Sequence, residues 1–253
     1  MLLKLVLAYE GTNFSGWARQ PGRRTVEQTL TEALECIYRE LGPLAVAGRT
    51  DAGVHALANV ASVEVAGGPP PAQALRALNA VLPPDLAVVE AAEAPAGFHA
   101  RFSAVSRSYR YRIWRSPVRS PFEARRALWY PRPLDLHRLG TSASLLLGEH
   151  DFRAFTPTDS QHDAFRRCVL AAAWVERGEA LEFEITADSF LRHMVRTLVG
   201  TMLERSPDQI APLLLGAPRA AAGATAPARG LRLLGVGYER GGATAAGDGA
   251  APG

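Results

Sequence analysis

The chain is short of several things that would point to familiar chemistry. Only two cysteines occur in 253 residues, Cys36 and Cys168. They are too few and too far apart for a disulfide framework or a cysteine-rich metal site, and both are expected to be buried thiols. The six histidines include no His-x-x-x-His pair, and no Cys-x-x-Cys is present, so no metal is expected. No Gly-x-Gly-x-x-Gly follows a strand pattern and no Gly-Lys-Ser/Thr phosphate loop occurs, which leaves redox and nucleotide cofactors without support; the expected cofactor is none. The longest apolar runs, such as Leu2 to Tyr9 and Ala56 to Val65, are of strand length and far from a spanning helix, so no membrane partner is expected. Met1-Leu2-Leu3-Lys4 leads directly into a strand pattern without the apolar core of a signal peptide. The expected location is cytoplasmic.

Lysine is nearly absent as well. Lys4 is the single one, and all other bases are arginine. Alanine is abundant throughout, and a GC-rich genome would produce both biases, so the preference for arginine does not itself indicate phosphate binding. Its placement is more informative, because distribution matters more than net charge for a polyanionic partner. The net charge is only +3, yet residues 1–100 carry 7 basic and 10 acidic side chains and residues 101–253 carry 21 and 15. Arg101 to Arg138 holds ten arginines against Glu123 and Asp135, a candidate nucleic-acid face.

Hydrophobic residues make up 47% and charged residues 21% of the chain, ordinary for a globular protein. The length suits one large domain or two smaller ones. Leu3, Leu5, Leu7 and Tyr9 alternate with Lys4, Val6 and Ala8, the period of a strand. Thr25-Val26-Glu27-Gln28 fits a capping box, and helical spacing from Val26 predicts a helix to about Glu40. Leu44 to Ala47 and Leu57 to Val65 read as strands, Ala72 to Val81 as a helix and Asp85 to Glu90 as a strand. The pattern then repeats: strand Ser106 to Trp114, helix Asp135 to Leu147, a hairpin of Cys168 to Glu176 with Leu181 to Ala187, helix Ser189 to Glu204 behind Asp188 as N-cap, and strand Leu231 to Glu239. A split β-α-β pattern occurring twice predicts an α+β protein of two ferredoxin-like (β-α-β-β-α-β) halves. Their mainly antiparallel sheets are expected to face a shared active-site cleft. The halves are expected at 1–95 and 96–240, the second bearing the RNA-binding arginines, with a disordered tail over 241–253. Pro207 to Leu215 suggests a short extra helix, and Gly216 to Gly230 a mobile loop.

Between the strands ending at Ala47 and beginning near Leu57 lies Gly48-Arg49-Thr50-Asp51-Ala52-Gly53-Val54-His55-Ala56. The glycines permit a tight turn that presents a carboxylate and a guanidinium at its tip. An ordinary hairpin turn has the same composition, and spacing alone favours that simpler reading. Arg192 and Arg196, four residues apart on a predicted helix, are either a solvated basic flank or partners for Asp51. Tyr109, Tyr111 and Ile113 share one face of their strand and Arg110, Arg112 and Trp114 the other. Lone histidines such as His55 and His99 fit satisfied structural groups, and Phe102 fits a core residue.

The run Gly48 to Ala56 resembles the catalytic loop of the tRNA pseudouridine synthase A family. The resemblance continues in order through Tyr9-Glu10-Gly11-Thr12 with Gly16-Trp17, Phe98 to Ser103, Arg107 to Tyr111, Gly148 to Phe152 and Phe190 to Arg196, and spans about residues 3 to 240. It implies an isomerase that converts uridine to pseudouridine at positions 38, 39 and 40 of the tRNA anticodon stem-loop, with base flipping and no cofactor. It assigns the nucleophile to Asp51, for which Arg196 is the natural partner, since a nearby cation favours an ionised carboxylate. It sets Tyr109 against the target uracil, where a ring can stack. Arg49, two residues before Asp51, is suited to fill the space left by an extruded base, or else simply steadies the turn. It further implies a homodimer with tRNA across both subunits. Ala18 and Ala58-Asn59-Val60 depart from the family's usual glutamine and Gly-Gln-Val, which puts the contacts around the loop in question, and the Glu40 to Gly48 connection is short.

A non-catalytic RNA-binding module would share an α+β fold with arginines and tyrosines on a sheet, but the Gly-Phe-x-Phe ribonucleoprotein motif is missing. A hydrolase built on Asp51 would need a second carboxylate facing it, and no motif supplies one.

Overall fold

The structure, a computed structural model, describes residues 1–160 and 164–238. Its elements run β1 (Leu2–Tyr9), α1 (Val26–Glu35), β2 (Glu40–Leu41), β3 (Ala45–Val46), β4 (His55–Ala66), α2 (Pro71–Val81) and β5 (Leu86–Glu93). The second half continues with β6 (Ala104–Trp114), β7 (Leu128–Trp129), α3 (Leu136–Ser144), β8 (Gly148–Asp151), β9 (Arg166–Arg177), β10 (Ala180–Ala187), α4 (Met194–Glu204), α5 (Pro207–Ile210) and β11 (Leu231–Tyr238). The alternation read from the sequence is what builds the core: Leu3, Leu5, Leu7 and Tyr9 of β1 and Tyr109, Tyr111 and Ile113 of β6 belong to one continuous cluster of buried side chains under the helices. Burial of that one face holds the strand register, because a slip of one residue would turn it to solvent.

The class is α+β and the pairing mainly antiparallel, but the arrangement of the sheet differs from expectation. Two sheets facing a shared cleft were expected; the strands form one continuous sheet, in the order β5-β1-β4-β11-β6-β10-β9-β8, with β2 and β3 on β4 and β7 on β6. The last strand, β11, inserts between β4 and β6, parallel to β4 through Arg232–His55 and Leu233–Ala56 and antiparallel to β6. It satisfies the open backbone edges of β4 and β6 together. The face of β6 and β10 opposite the core carries Arg110, Arg112, Glu182 and Glu184, paired across the two strands.

Several boundaries move for identifiable reasons. Helix α1 stops at Glu35 rather than Glu40 because Glu40 and Leu41 are recruited to the far end of β4. Thr25 caps it by accepting from the Gln28 backbone, while the Gln28 side chain donates to Glu32 instead of completing the box. Helix α4 starts at Met194, not Ser189, and the Asp188 carboxylate accepts from Cys168 and Ser189 backbone groups rather than capping it. The segment from Gly216 to Gly230, expected to be mobile, is folded into short 3-10 turns at Arg219–Ala221 and Ala228–Gly230 and buries Ala222 and Ala226. Small residues make this close packing possible: a Cβ added to Gly200 of α4 would lie 1.8 Å from the Ala224 carbonyl oxygen. Neither cysteine is a buried thiol, since Cys36 is exposed at the end of α1 and Cys168 is half-buried. Phe102 is 76% exposed rather than core, its ring stacked on His99 at 4.4 Å between centroids. The expected tail, 241–253, lies outside the described residues.

Candidate active site

The loop from Gly48 to Val54 joins β3 to β4 and is clamped by the segment that follows β1. The Trp17 amide donates to the Thr50 carbonyl at 2.9 Å and the Gly53 amide to the Phe14 carbonyl at 3.3 Å. Backbones approach so closely that a Cβ on Gly11 would sit 2.0 Å from the Val54 carbonyl oxygen, and one on Gly16, at φ +94, 3.0 Å from that of Thr50. Only glycine fits such positions. The Tyr9-Glu10-Gly11-Thr12 and Gly16-Trp17 elements thus act as a cradle for the loop.

Below the loop lies a buried polar chain. The Tyr9 hydroxyl and Thr50 Oγ1 are 2.8 Å apart. Asn59 Nδ2 donates to the Tyr9 hydroxyl at 3.1 Å and to the Gly48 carbonyl at 2.8 Å, and its Oδ1 accepts from the Val60 amide at 3.0 Å. Burial pushes the Tyr9 phenol up to about 12, so it stays protonated. Asn59, noted in the sequence only as a departure, therefore ties the loop to the sheet. The short Glu40 to Gly48 connection holds because β2 and β3 both pair with β4.

Asp51 sits on this loop, 23% exposed, and its Oδ2 accepts from Arg196 Nη1 at 3.1 Å. Arg196 also donates from Nε to the Ala226 carbonyl at 2.8 Å, so the folded 216–230 segment orients the guanidinium. Arg192 does not share this role. It lies before α4 and pairs with Asp159 at 3.4 Å, because the chain reverses at His193, the sole non-glycine residue with positive φ among the described residues. That left-handed conformation costs about 1–3 kcal/mol. It brings His193 Nε2 to 3.5 Å from the same Asp51 oxygen. Sequence reasoning missed His193; its neighbourhood in the Phe190 to Arg196 element was the available signal, but a helical reading turned it away from Asp51.

Tyr109 is buried on β6 beside Leu233 of β11, its ring edge-on to Phe190 at 4.9 Å. Gly48 leaves room for it, since a Cβ there would lie 3.3 Å from the hydroxyl. Burial, then the nearby Tyr9 and Asp51, push this phenol well above the ordinary tyrosine value, so it is a protonated ring. Tyr111 is fully buried packing whose hydroxyl donates to the Pro227 carbonyl. Arg49 is exposed, and among the described residues its guanidinium has no hydrogen-bond or ion-pair partner. His55 accepts from the Gly11 amide at 2.9 Å and contacts the Arg229 carbonyl at 3.1 Å, while His99 accepts from the amides of Arg101 and Phe102. Both are structural groups. Among the described residues no three of His, Cys, Asp and Glu gather in a metal-holding arrangement, and none of the helices described is long and apolar enough to cross a membrane.

The arginine-dense stretch divides in two. Arg107 is buried and spends its guanidinium on the carbonyls of Ala47, Ala104, Asp188 and Arg101. Arg110 and Arg112 converge on Glu182, which is 1% exposed, with Arg177 alongside. Buried anions need such counter-charges, so these arginines serve the sheet rather than an open basic face. Arg101, Arg119, Arg125, Arg126 and Arg132 are exposed and remain available to a polyanion.

The chain is matched by the family described as tRNA pseudouridine synthase over residues 5–103 and 142–239. It is 40% identical over 243 residues to a protein named tRNA pseudouridine synthase A from Syntrophotalea carbinolica, covering 94% of this chain and 96% of that one. It is 40% identical to one of the same name from Geobacillus kaustophilus, covering 94% of each, and 42% identical to one from Moorella thermoacetica, covering 93% and 99%. Among solved structures, a chain of a Cbf5-Nop10-Gar1 complex is similar at a TM-score of 0.36 and 13% identity, over 92% of this chain and 59% of that one, a likeness too distant to argue from.

Proposed function

Since the chain belongs to the tRNA pseudouridine synthase A family, we propose that it isomerises uridine at positions 38, 39 and 40 of the tRNA anticodon stem-loop, with Asp51 as nucleophile on a base flipped out of its stem. Family membership makes it an isomerase forming pseudouridine in tRNA. The three positions rest on the sequence resemblance, as does a homodimer with tRNA lying across both subunits; the location read from the sequence is cytoplasmic.

The observation that carries the site is the pairing of Asp51 with Arg196 at 3.1 Å, between residues 145 apart in sequence. An isomerisation of this kind breaks the bond from C1′ to N1, turns the uracil over, joins C1′ to C5, releases the C5 proton and leaves N1 carrying a proton in its place. A carboxylate supplies the nucleophile or stabilises the positive charge. Arg196 holds that carboxylate by one oxygen. Among the described residues no hydrogen bond reaches Asp51 Oδ1, which leaves this oxygen to the nucleotide. Tyr109 offers a protonated ring for the uracil to stack on. The reacting atoms are inaccessible in a stacked stem, and exposed Arg49 on the same loop is the group suited to replace the extruded base.

Two halves, 1–95 and 96–240, fit this reading as ferredoxin-like units. Strand order supports them: β1 lies between β5 and β4, with β3 beyond, and β6 lies between β11 and β10, with β9 beyond. The exposed arginines of the second half then supply the RNA contacts.

The test is tritium release from tRNA carrying uridine labelled at C5, with wild type beside Asp51→Asn. Release by the wild type alone is expected. Tight tRNA binding without release from either protein would replace the isomerase reading with a non-catalytic RNA-binding one.

A further inference from the structure

His193 is the described residue besides Arg196 whose side chain closes on the Asp51 carboxylate, and the backbone is bent into an unfavourable conformation to place it there. Its φ is 61 and ψ −1, and its Nε2 lies 3.5 Å from Asp51 Oδ2, the oxygen already held by Arg196. A non-glycine residue in this region is uncommon, and such conformations persist where the surroundings over-determine them. Here the turn does two things: it starts α4 late, so that Arg196 falls one turn further on, and it aims the imidazole at the loop.

We propose that His193 is a positioning residue for Asp51, its neutral ring steadying Oδ2 beside Arg196 so that Oδ1 faces the nucleotide, and that protonation of the ring switches the carboxylate off. The inference rests on the nucleophile assignment made above. At 3.5 Å from Oδ2, a neutral imidazole needs only a small approach to donate one hydrogen bond, and it does so without adding charge. A protonated one would put a second cation on a carboxylate that already has one, and the pair would hold the anion back from an electron-poor carbon.

The groups facing His193 come from each segment packed around it. Asp51 on the loop and Asp159 attract a proton to the ring, while Arg196 on α4 and Arg192 before it repel one. Burial outweighs these and moves the imidazole below its ordinary value of 6.5. The ring is therefore neutral near pH 7 and becomes charged on the acid side, where turnover should fall.

The experiment has two arms. The first follows the His193 imidazole by NMR against pH in the wild type and in Asp51→Asn, its signal identified by its loss in His193→Asn. A midpoint below 6.5 is expected, falling further in Asp51→Asn because an attracting charge is gone. A midpoint at or above 6.5 that Asp51→Asn leaves in place overturns the proposal, whatever the activity.

The second arm measures kcat and KM for tritium release from pH 5 to 8. Asparagine tolerates the left-handed conformation and keeps an amide donor that does not titrate, so His193→Asn should lose roughly threefold in kcat at pH 7.5 and lose the acid-side fall. His193→Gly keeps the turn without the donor, and roughly tenfold lower kcat with KM unchanged is expected. An acid limb that stays in place in His193→Asn refutes the switch. If the wild type releases no tritium at all, the isomerase reading has failed, and the first arm alone still judges whether His193 is coupled to Asp51.

Discussion

Asn59→Ala tests most directly whether the loop is held from below. Asn59 is fully buried, and its amide bridges Gly48 on the loop, Tyr9 on β1 and Val60 on its own strand. Truncation leaves the Tyr9 hydroxyl its contact with Thr50, but strands the Gly48 carbonyl and the Val60 amide. A buried polar group left unsatisfied costs about 1–3 kcal/mol, so two such groups cost about 2–6 kcal/mol. For a chain of this size each kcal/mol shifts the melting temperature by about 2–4 °C, and a fall of roughly 4–24 °C is expected, with about 12 °C at the midpoint of both ranges. Turnover should suffer beyond the loss of folded protein, because a misplacement of about 1 Å at a reacting group can cost about 100-fold. Thermal unfolding, together with tritium release at a temperature where the variant is fully folded, reads both effects. Melting within 2 °C of wild type, or unchanged kcat in the folded variant, would show that the Asn59 bridge neither stabilises nor aims the loop. Asn59→Asp should be worse than alanine, since it sets an acceptor against the Gly48 carbonyl.

Glu182→Gln should destabilise the second half by about 3 kcal/mol, because it removes the buried anion among Arg110, Arg112 and Arg177; urea unfolding that moves by less than 1 kcal/mol would refute this. Arg49→Ala should lower kcat/KM about tenfold on a uridine in a paired stem and less on an unpaired uridine, which is already unstacked; equal losses on both substrates would remove Arg49 from base capture. His55 is buried, and burial moves it below 6.5 despite the nearby Glu10. A depressed folded value means that stability is fully present above 6.5 and is lost as pH falls below it. The melting temperature should therefore drop between pH 6.5 and 5, and drop more steeply in Glu10→Gln; a flat profile over that range contradicts the assignment.

What sequence alone determined here is local and chemical. Alternating apolar residues specify which face of β1 and β6 is buried, because side chains on a strand point to opposite faces in turn. The run Gly48 to Ala56 placed a carboxylate and a guanidinium on a tight turn, but an ordinary hairpin has the same composition, so the role given to Asp51 came with the resemblance. Arg196 and Tyr109 were reachable only through resemblance, as nothing in their own periodicity separates them from a basic flank and a core ring. Tertiary structure decided the rest, in each case through contacts between distant segments. The single sheet depends on β11 satisfying the open edges of β4 and β6, which no local pattern can encode. Five of the ten clustered arginines, Arg107, Arg110, Arg112, Arg115 and Arg138, turn out to have internal partners, because burial of Glu182 and of loop carbonyls requires donors from other strands. The bend at His193 overrides a helical pattern that is sound in itself: the apolar stripe from Met194 onward does pack, but the turn before it is set by what it must face. Asn59 looked like an anomaly in a line of letters and acquires its meaning only beside Tyr9 and Gly48, fifty and eleven positions away.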